Sequence, residues 1–585
     1  MSQAARARVV GRITLANGRI CAILLCVKRF LFPIFCAAAL PLSVGAEGVP
    51  DRVLPEGEYP YWGEYKKTNF EDVRPAAWVA EDSVKDGWDW SLPPRVKPDP
   101  NSYVTLYRTG MNGMGKIAKI KPVNFPSIPV VGFWLNWKDI EKTEGVYDFQ
   151  PLKDMIKAAA EKGYGSVIRI HTAATRFAPE WLFKYDVPVD ENPEGKGDRM
   201  KPIDPAHPEF HKRYLKLVEA FGKSGIPRMD EVKGMFVGYS SYSNGDEGMG
   251  PVPEHENPDG FPHVRERIDA WAEAAKGAER KVFMGGWSDY GISKGFGIRR
   301  GFVEMYLYHV PDWKIGQKVD KDGYLYVDEE NPVVKSGVRN GEENEEYEEH
   351  WAVAAGRYRF GKSTASFPYR YFSSNLRLLQ MRTNDVIWNE FTINPEMFVW
   401  VGLELGKTAK TAPDAWCFLR ESYLWRSNMR RGDEGAADPD TGLKNFERWV
   451  YQRDSPGYET EPAVKISHAI KMWMVRDGKR YDYVARTGAK IGFDVDDKFL
   501  RGRSKKIAVK VSYFDFGKGK FALEYNLNGG VERRVVECSD SGKVRTATFF
   551  VTADFLKNMK LRHDLEIVGL DGYRPTVSML RVVKP

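Results

Sequence analysis

The residues in this chain best suited to acid and base work are glutamates just beyond short apolar runs. They lie in Tyr242-Ser-Asn244-Gly245-Asp246-Glu247-Gly248, in Asn340-Gly341-Glu342-Glu343-Asn344-Glu345-Glu346, and in Trp388-Asn389-Glu390. A carboxylic acid whose pKa is raised by burial or by a neighbouring anion can protonate a poor leaving group. A second carboxylate can act as nucleophile or as base toward water. The sequence lacks His-Glu-x-x-His, Gly-x-Ser-x-Gly, a phosphate loop and paired-cysteine zinc spacing. Asp320-Lys-Asp322-Gly323 opens like a calcium loop without the later ligands, so no metal and no cofactor is expected. Acids as dense as those after Gly341 usually form a solvated loop, which is the bland alternative for Glu342.

Such carboxylates need strand ends to hold them. Apolar runs at 130–135, 166–170, 232–239, 281–287, 302–308 and 385–391 alternate with helical patterns. Pro151 suits a first helical position, with Leu152, Met155, Ile156 and Ala159 on one face before Gly163. Phe210, Tyr214, Leu217, Val218 and Phe221 repeat the pattern after Pro208. This alternation over residues 103–430 predicts a (β/α)8 TIM barrel, since a doubly wound sheet would want a phosphate loop after its first strand. The glycines at 295–301 have the wrong spacing for a dinucleotide fingerprint and read as a turn. Beyond 460 the period becomes strict alternation, as in 507–514, 520–525, 546–551 and 577–582, which predicts a C-terminal antiparallel β-sandwich over 461–585. Residues 431–460 read as a linker or loop. Residues 47–102, rich in Pro and Trp, read as an extended segment packing on the barrel.

With 585 residues, 42% hydrophobic and 29% charged, the chain is ordinary globular material for two or three domains. Its +7 charge sits at one end: Arg6, Arg8, Arg12, Arg19, Lys28 and Arg29 all precede residue 47, in a stretch without Asp or Glu. Without them the 87 basic residues fall to 81 against 80 acidic, so the body is near neutral and no polyphosphate partner is implied. Lys28-Arg29, an apolar run at 30–42 and Val44-Gly45-Ala46 predict a signal peptide over 1–46, cleaved after Ala46, and export to the periplasm or beyond. Cys417 and Cys538 then remain, allowing at most one bridge and expected as free thiols. Aromatic residues make up 13%, with 17 Trp. Sugar faces stacking on rings and a large aromatic core both account for that.

The segment Trp134-Leu-Asn136-Trp137-Lys-Asp-Ile-Glu141-Lys-Thr-Glu144-Gly145-Val-Tyr147-Asp148-Phe149, followed by Ala178-Pro179-Glu180-Trp181, resembles the second-strand signature of (β/α)8-barrel glycoside hydrolases of the family 42 β-galactosidase type. The likeness covers residues 130–250. Glu141 to Phe149 read as a turn anchoring the strand to its helix. The resemblance implies a proton donor at the end of strand four, which points to Glu247, although Asp246 stands where the family has Asn. It implies a second carboxylate from strand seven. Counting 302–308 as strand six puts strand seven at 333–338 and favours Glu342; with one strand fewer, Glu390 takes the role. Asn136, Trp137, Arg169, His171, Trp287 and Tyr306 are expected to bind substrate, and Arg169, His171 and Arg176 suit acidic or sulfated groups. The implied partner is a carbohydrate, with galactose suggested only by the resemblance. A non-catalytic carbohydrate-binding barrel and a polysaccharide lyase remain as rival readings.

Overall fold

The computed structural model describes residues 68–123, 127–189, 201–237, 260–285, 288–299, 316–343, 367–388, 392, 394–422, 442–467 and 481–585. After an N-terminal strand β1 (Ser83–Asp86), eight parallel strands close into a barrel: β2 (Tyr103–Thr109), β3 (Ile128–Asn136), β4 (Gly165–His171), β5 (Val232–Val237), β6 (Val282–Gly285), β7 (Gly297–Arg299), β10 (Asn340–Glu343) and β11 (Asp385–Ile387). A hairpin, β8 (Gln317–Val319) and β9 (Leu325–Val327), is inserted after β7. Every residue of β4 is buried, because one face looks into the barrel and the other lies under helices. The helices form as their spacing predicts. Helix Gln150–Ala160 buries Leu152, Met155, Ile156 and Ala159, and Gly163 turns the chain at φ +83°. Helix Pro208–Lys223 buries Phe210, Tyr214, Leu217, Val218 and Phe221.

Inside the barrel, Tyr103, Val130, Val167, Phe236 and Phe283 form a separate apolar layer. Beneath it Arg339 closes the N-terminal end, its guanidinium 4.8 Å from the Tyr103 ring and 3.6 Å from Asp385. Gly234 and Gly297 are glycines for a steric reason, since a Cβ at either would strike Arg339.

Two strands lie elsewhere than the apolar runs suggest. Strand six is β7, in the stretch read as a turn, and the expected run at 302–308 lies outside the described residues. Strand seven is β10. The expected 333–338 is helix Pro332–Ser336 instead, because Asn331 caps it by accepting the Val333 amide, Pro332 suits its first turn, and Gly337 ends it at φ +63°.

The β-sandwich consists of an eight-stranded sheet and a five-stranded one. The first contains β1, β12 (Asp414–Ser422), β13 (Leu443–Arg448), β15 (Glu461–Ser467), β16 (Tyr481–Thr487), β18 (Gly502–Phe514), β21 (Val544–Phe555) and β23 (Thr576–Val583). The second contains β14 (Val450–Gln452), β17 (Lys490–Val495), β19 (Lys518–Leu527), β20 (Gly530–Ser539) and β22 (Leu565–Leu570). The sandwich therefore starts at Asp414, inside the stretch expected to be barrel, and the expected linker 431–460 contributes β13 and β14. Alternation along β12 explains the misreading: Trp416 and Phe418 pack into the barrel's core, while Ala415, Cys417 and Leu419 pack between the sheets. A strand buried on both faces looks like a barrel strand. Cys417 and Cys538 are both buried free thiols.

The N-terminal segment does more than lie on the barrel. β1 adds to the large sheet beside β21, and Trp90 then lodges 4.8 Å from Trp400 and 5.4 Å from Phe372. The described residues form one compact unit. Among the described residues no helix is long and apolar enough to cross a membrane.

At one end of the sandwich, burial together with the nearby Asp494 and Asp497 pushes the Asp564 carboxyl up to about 6. With its folded pKa above the ordinary value of 3.8, Asp564 contributes stability below that value and loses it as pH rises through 6. Asp564→Asn keeps an acceptor for the Val495 amide, now 2.8 Å away. It is expected to gain about 1 kcal/mol over wild type at pH 7.5, with the advantage gone at pH 4. Urea midpoints at the two pH values check this, and equal midpoints at pH 7.5 would overturn it.

Candidate active site

The turn after β3 is built around Glu141. Its buried carboxylate accepts Trp137 Nε1–H at 2.6 Å and the Gly145 amide at 2.7 Å, and its carbonyl accepts Trp181 Nε1–H at 2.9 Å. Gly145 turns the chain at φ +78°. Glu144 holds Lys184 at 2.5 Å and Arg213 at 3.1 Å, contacts that together with Tyr185 keep its carboxyl down at about 2. These residues anchor strand to helix, as the sequence suggests. Trp137 belongs to that anchor: it is fully buried, edge-on to Trp181 and Phe210, and is a core residue, contrary to the expectation that it binds substrate.

Above the apolar layer, the inner face of the barrel turns polar. On β3 the inward positions are Val130, Gly132, Trp134 and Asn136. A Cβ on Gly132 would overlap the Trp134 indole, so the missing side chain is what lets this half-buried ring lie across the barrel's inner wall. Asn136 donates its amide to Asp139 Oδ2 at 2.7 Å and pairs in register with His171. On β4, Arg169 and His171 are both buried. Arg169 lies 4.4 Å from the Phe236 ring, and Arg299 of β7 lies 4.9 Å from the same ring. His171 stacks on Phe177 at 4.8 Å, and the exposed Arg176 lies 5.6 Å from that ring.

A bulge in β2 brings in a further cation. The register shifts between Thr105 and Tyr107, so Tyr107 faces out, where its hydroxyl donates to Glu71 at 2.9 Å, and Arg108 pairs with inward Gly132. Without the extra residue the two would exchange faces.

Register also sorts the acids of strand seven. Arg339, just before β10, is inside the barrel, whereas Asn340 donates outward to the Met381 carbonyl at 2.7 Å. Gly341 pairs with Arg299 and Asp385, both inward, while Glu342 pairs with Val386, which lies in the core under the helices. Paired residues of a sheet share a face. Position 342 therefore falls on the outer face, and position 343, beside Ile387, falls on the inner one. Glu247, Glu390, Trp287 and Tyr306 lie outside the described residues.

Sequence reasoning passed over Arg108, Trp134, Arg299 and Glu343. Only Trp134 carried a local signal, a glycine two residues earlier in a strand, which marks close approach. The mouth combines a flat indole with guanidinium and imidazole groups, which suits a ligand with flat apolar faces and polar edges.

No protein-family model matches the chain, and no curated protein matches it. Solved structures do. The chain is similar to the catalytic domain of β-amylase from Paenibacillus polymyxa at 10% identity and a TM-score of 0.29, over 52% of this chain and 98% of that one. It is similar to the exo-β-1,4-mannosidase Op5Man5 from Opitutaceae bacterium strain TAV5 at 14% identity and a TM-score of 0.27, over 52% of this chain and 60% of that one. A β-galactosidase from the psychrophilic Marinomonas ef1 matches at 9% identity and a TM-score of 0.30, over 51% of this chain and 59% of that one.

Proposed function

We propose that this chain is an exported glycoside hydrolase acting on a poly- or oligosaccharide. The observation that carries the reading is the closed parallel barrel whose seventh strand ends Gly341-Glu342-Glu343, with position 343 on the inner face at the end where barrel enzymes keep their chemistry. The acid-rich segment after strand four supplies Glu247 as general acid and base. The second carboxylate is Glu343 rather than Glu342, since only the inner face meets a bound substrate. Trp134 supports the reading with a platform for a pyranose face. The basic, apolar and small-residue sequence of 1–46 supports export.

The test is reducing-end release by the chain from Glu47 onward, over neutral, uronic and sulfated polysaccharides. Glu247→Gln is expected to lower turnover at least about a hundredfold, the scale of general acid catalysis. Full activity in that variant would remove Glu247 from the mechanism. Saturable binding without products would favour a binding protein, and products absorbing in the ultraviolet would point to a lyase.

A further inference from the structure

We infer that the β-sandwich carries a second ligand site, a cleft at one end of its smaller sheet that binds a neutral saccharide. This goes beyond the glycosidase reading and rests on it only in taking a saccharide as the hydroxyl-rich ligand.

The cleft has a volume of about 580 Å³, within the range of small-ligand sites, and none of its lining comes from the barrel. Its groups meet because three strands end side by side. Phe493 and Tyr525 both pair with Leu565, which brings Asp494 on β17, Asn526 on β19 and Asp564 just before β22 to the same end of the sheet. The connection from β21 to β22 supplies Leu556, Met559 and Leu561, all half-buried.

The polar groups are held in place and keep capacity for a ligand. Asp494 is exposed, and both its oxygens stand 3.1 Å from Nδ1 of His563. That buried ring lies over Gly492, where a Cβ would strike it, and edge-on to Tyr458 at 4.7 Å. Asp564 accepts the Val495 amide at 2.8 Å through one oxygen, and the exposed Asp497 is only loosely paired, 3.8 Å from Arg501. Asn526 is 1% exposed. Its Oδ1 accepts the Leu561 amide at 3.1 Å, whereas its Nδ2 donor meets no acceptor among the described residues, an unusual state for a buried amide.

This mixture selects the ligand. Three carboxylates oppose an anion, while Lys557 and Arg562 offset much of their pull on a cation. Among the described residues no group of acids and histidines is placed to hold a metal ion. Hydroxyl groups suit both kinds of lining, since they donate to carboxylates and accept from an amide or ammonium. The C–H face of a sugar ring fits against Leu556, Met559 and Leu561, the usual division between apolar wall and a few orienting polar groups.

The experiment is affinity electrophoresis of the chain from Glu47 onward in gels holding galactan, mannan, xylan or β-glucan, with dextran sulfate as the anionic probe and hydrolysis followed separately. At least one neutral polymer is expected to retard the chain. Asp564→Asn and Asp497→Ala are each expected to weaken that binding about tenfold, the size of one charge-assisted hydrogen bond. Asp564→Asn keeps the acceptor for the Val495 amide, so binding lost in it is not folding lost. Asp571→Asn, exposed at the opposite end of β22, is the control and is expected to bind as wild type does. No retardation by any neutral polymer, retardation by dextran sulfate alone, or retardation that survives both cleft variants would overturn the inference. Cleft-dependent binding without hydrolysis would sink the glycosidase reading and leave this one standing, and hydrolysis with binding untouched by the cleft variants would do the reverse.

Discussion

Glu343→Gln is expected to lower turnover by about a thousandfold or more, the scale of losing a nucleophile or an essential base, while Glu342→Gln keeps most of it. The two glutamates are neighbours with the same chemistry, so only register separates them. In register, position 341 lies beside Arg299 and Asp385 on the inner face, and position 342 lies beside Val386 on the outer one. A strand alternates without exception between those points unless a bulge intervenes, and the pairing of β10 with β11 is continuous from Gly341 to Glu343. The assay is kcat on the substrate that the polysaccharide panel identifies, with far-ultraviolet circular dichroism to confirm folding. If the second carboxylate is a nucleophile, Glu343→Gly regains activity with azide and yields a glycosyl azide. The reverse pattern, with Glu342→Gln dead and Glu343→Gln active, would overturn the register argument. Loss confined to Glu390→Gln would move the role to strand eight.

Arg581→Met is expected to destabilise the folded chain by about 3–5 kcal/mol, the range for removing one partner of a buried pair. Asp414, fully buried at the start of β12, accepts Arg581 Nε–H at 2.8 Å and Trp400 Nε1–H at 3.1 Å. Nearby, Arg448 pairs with Glu404 at 3.0 Å and also donates to the Glu404 and Lys407 carbonyls. Burial and the neighbouring Asp414 push the Glu404 carboxyl well up, against the opposing pull of Arg448 and Arg581. Removing Arg581 leaves Asp414 without its cation and deprives the Asp89 carbonyl of a donor. Further along the same interface, Lys510 holds Asp89 at 2.6 Å and Ser91 at 2.7 Å. Since Arg581 is on β23, Asp414 on β12, Glu404 on the last barrel helix and Asp89 in the N-terminal segment, the loss is expected in one cooperative transition. Urea denaturation checks the size. The double variant Arg581→Met with Asp414→Leu is expected to recover much of the loss. A single variant within 1 kcal/mol of wild type, about the worth of an exposed pair, would overturn the account.

Much of the barrel was legible because its strands and helices carry their own patterns. β3, β4 and β5 are apolar runs, and two of the helices carry Pro151 and Pro208 in their first turns. The parts that escaped are held by neighbours instead. β7 is three residues, two of them Gly297 and Arg299, and β10 reads as an acidic loop, so neither has an apolar run to announce it. Val333 and Val338 look like strand residues, yet Asn331 and Pro332 start a helix there. The end of the barrel was hidden because β12 is buried on both faces. For the site, the turn around Glu141 was readable from its residues. The inward turn of Arg108 depends on a bulge that no local pattern encodes, and the choice of Glu343 over Glu342 depends on pairing with strands about 40 residues away in either direction.

The pairing of β1 with β21 also has a cost in time. Ser83–Asp86 leaves the ribosome about 460 residues before the strand it must join, a delay of roughly 25 to 90 s at about 5–20 residues per second. Trp88 and Trp90 wait less long, since their ring partners Phe372, Trp400 and Phe418 are all made well before β21. The strand β1 thus remains an unpaired edge until β21 is made, and an arrest anywhere before Val544 leaves it so.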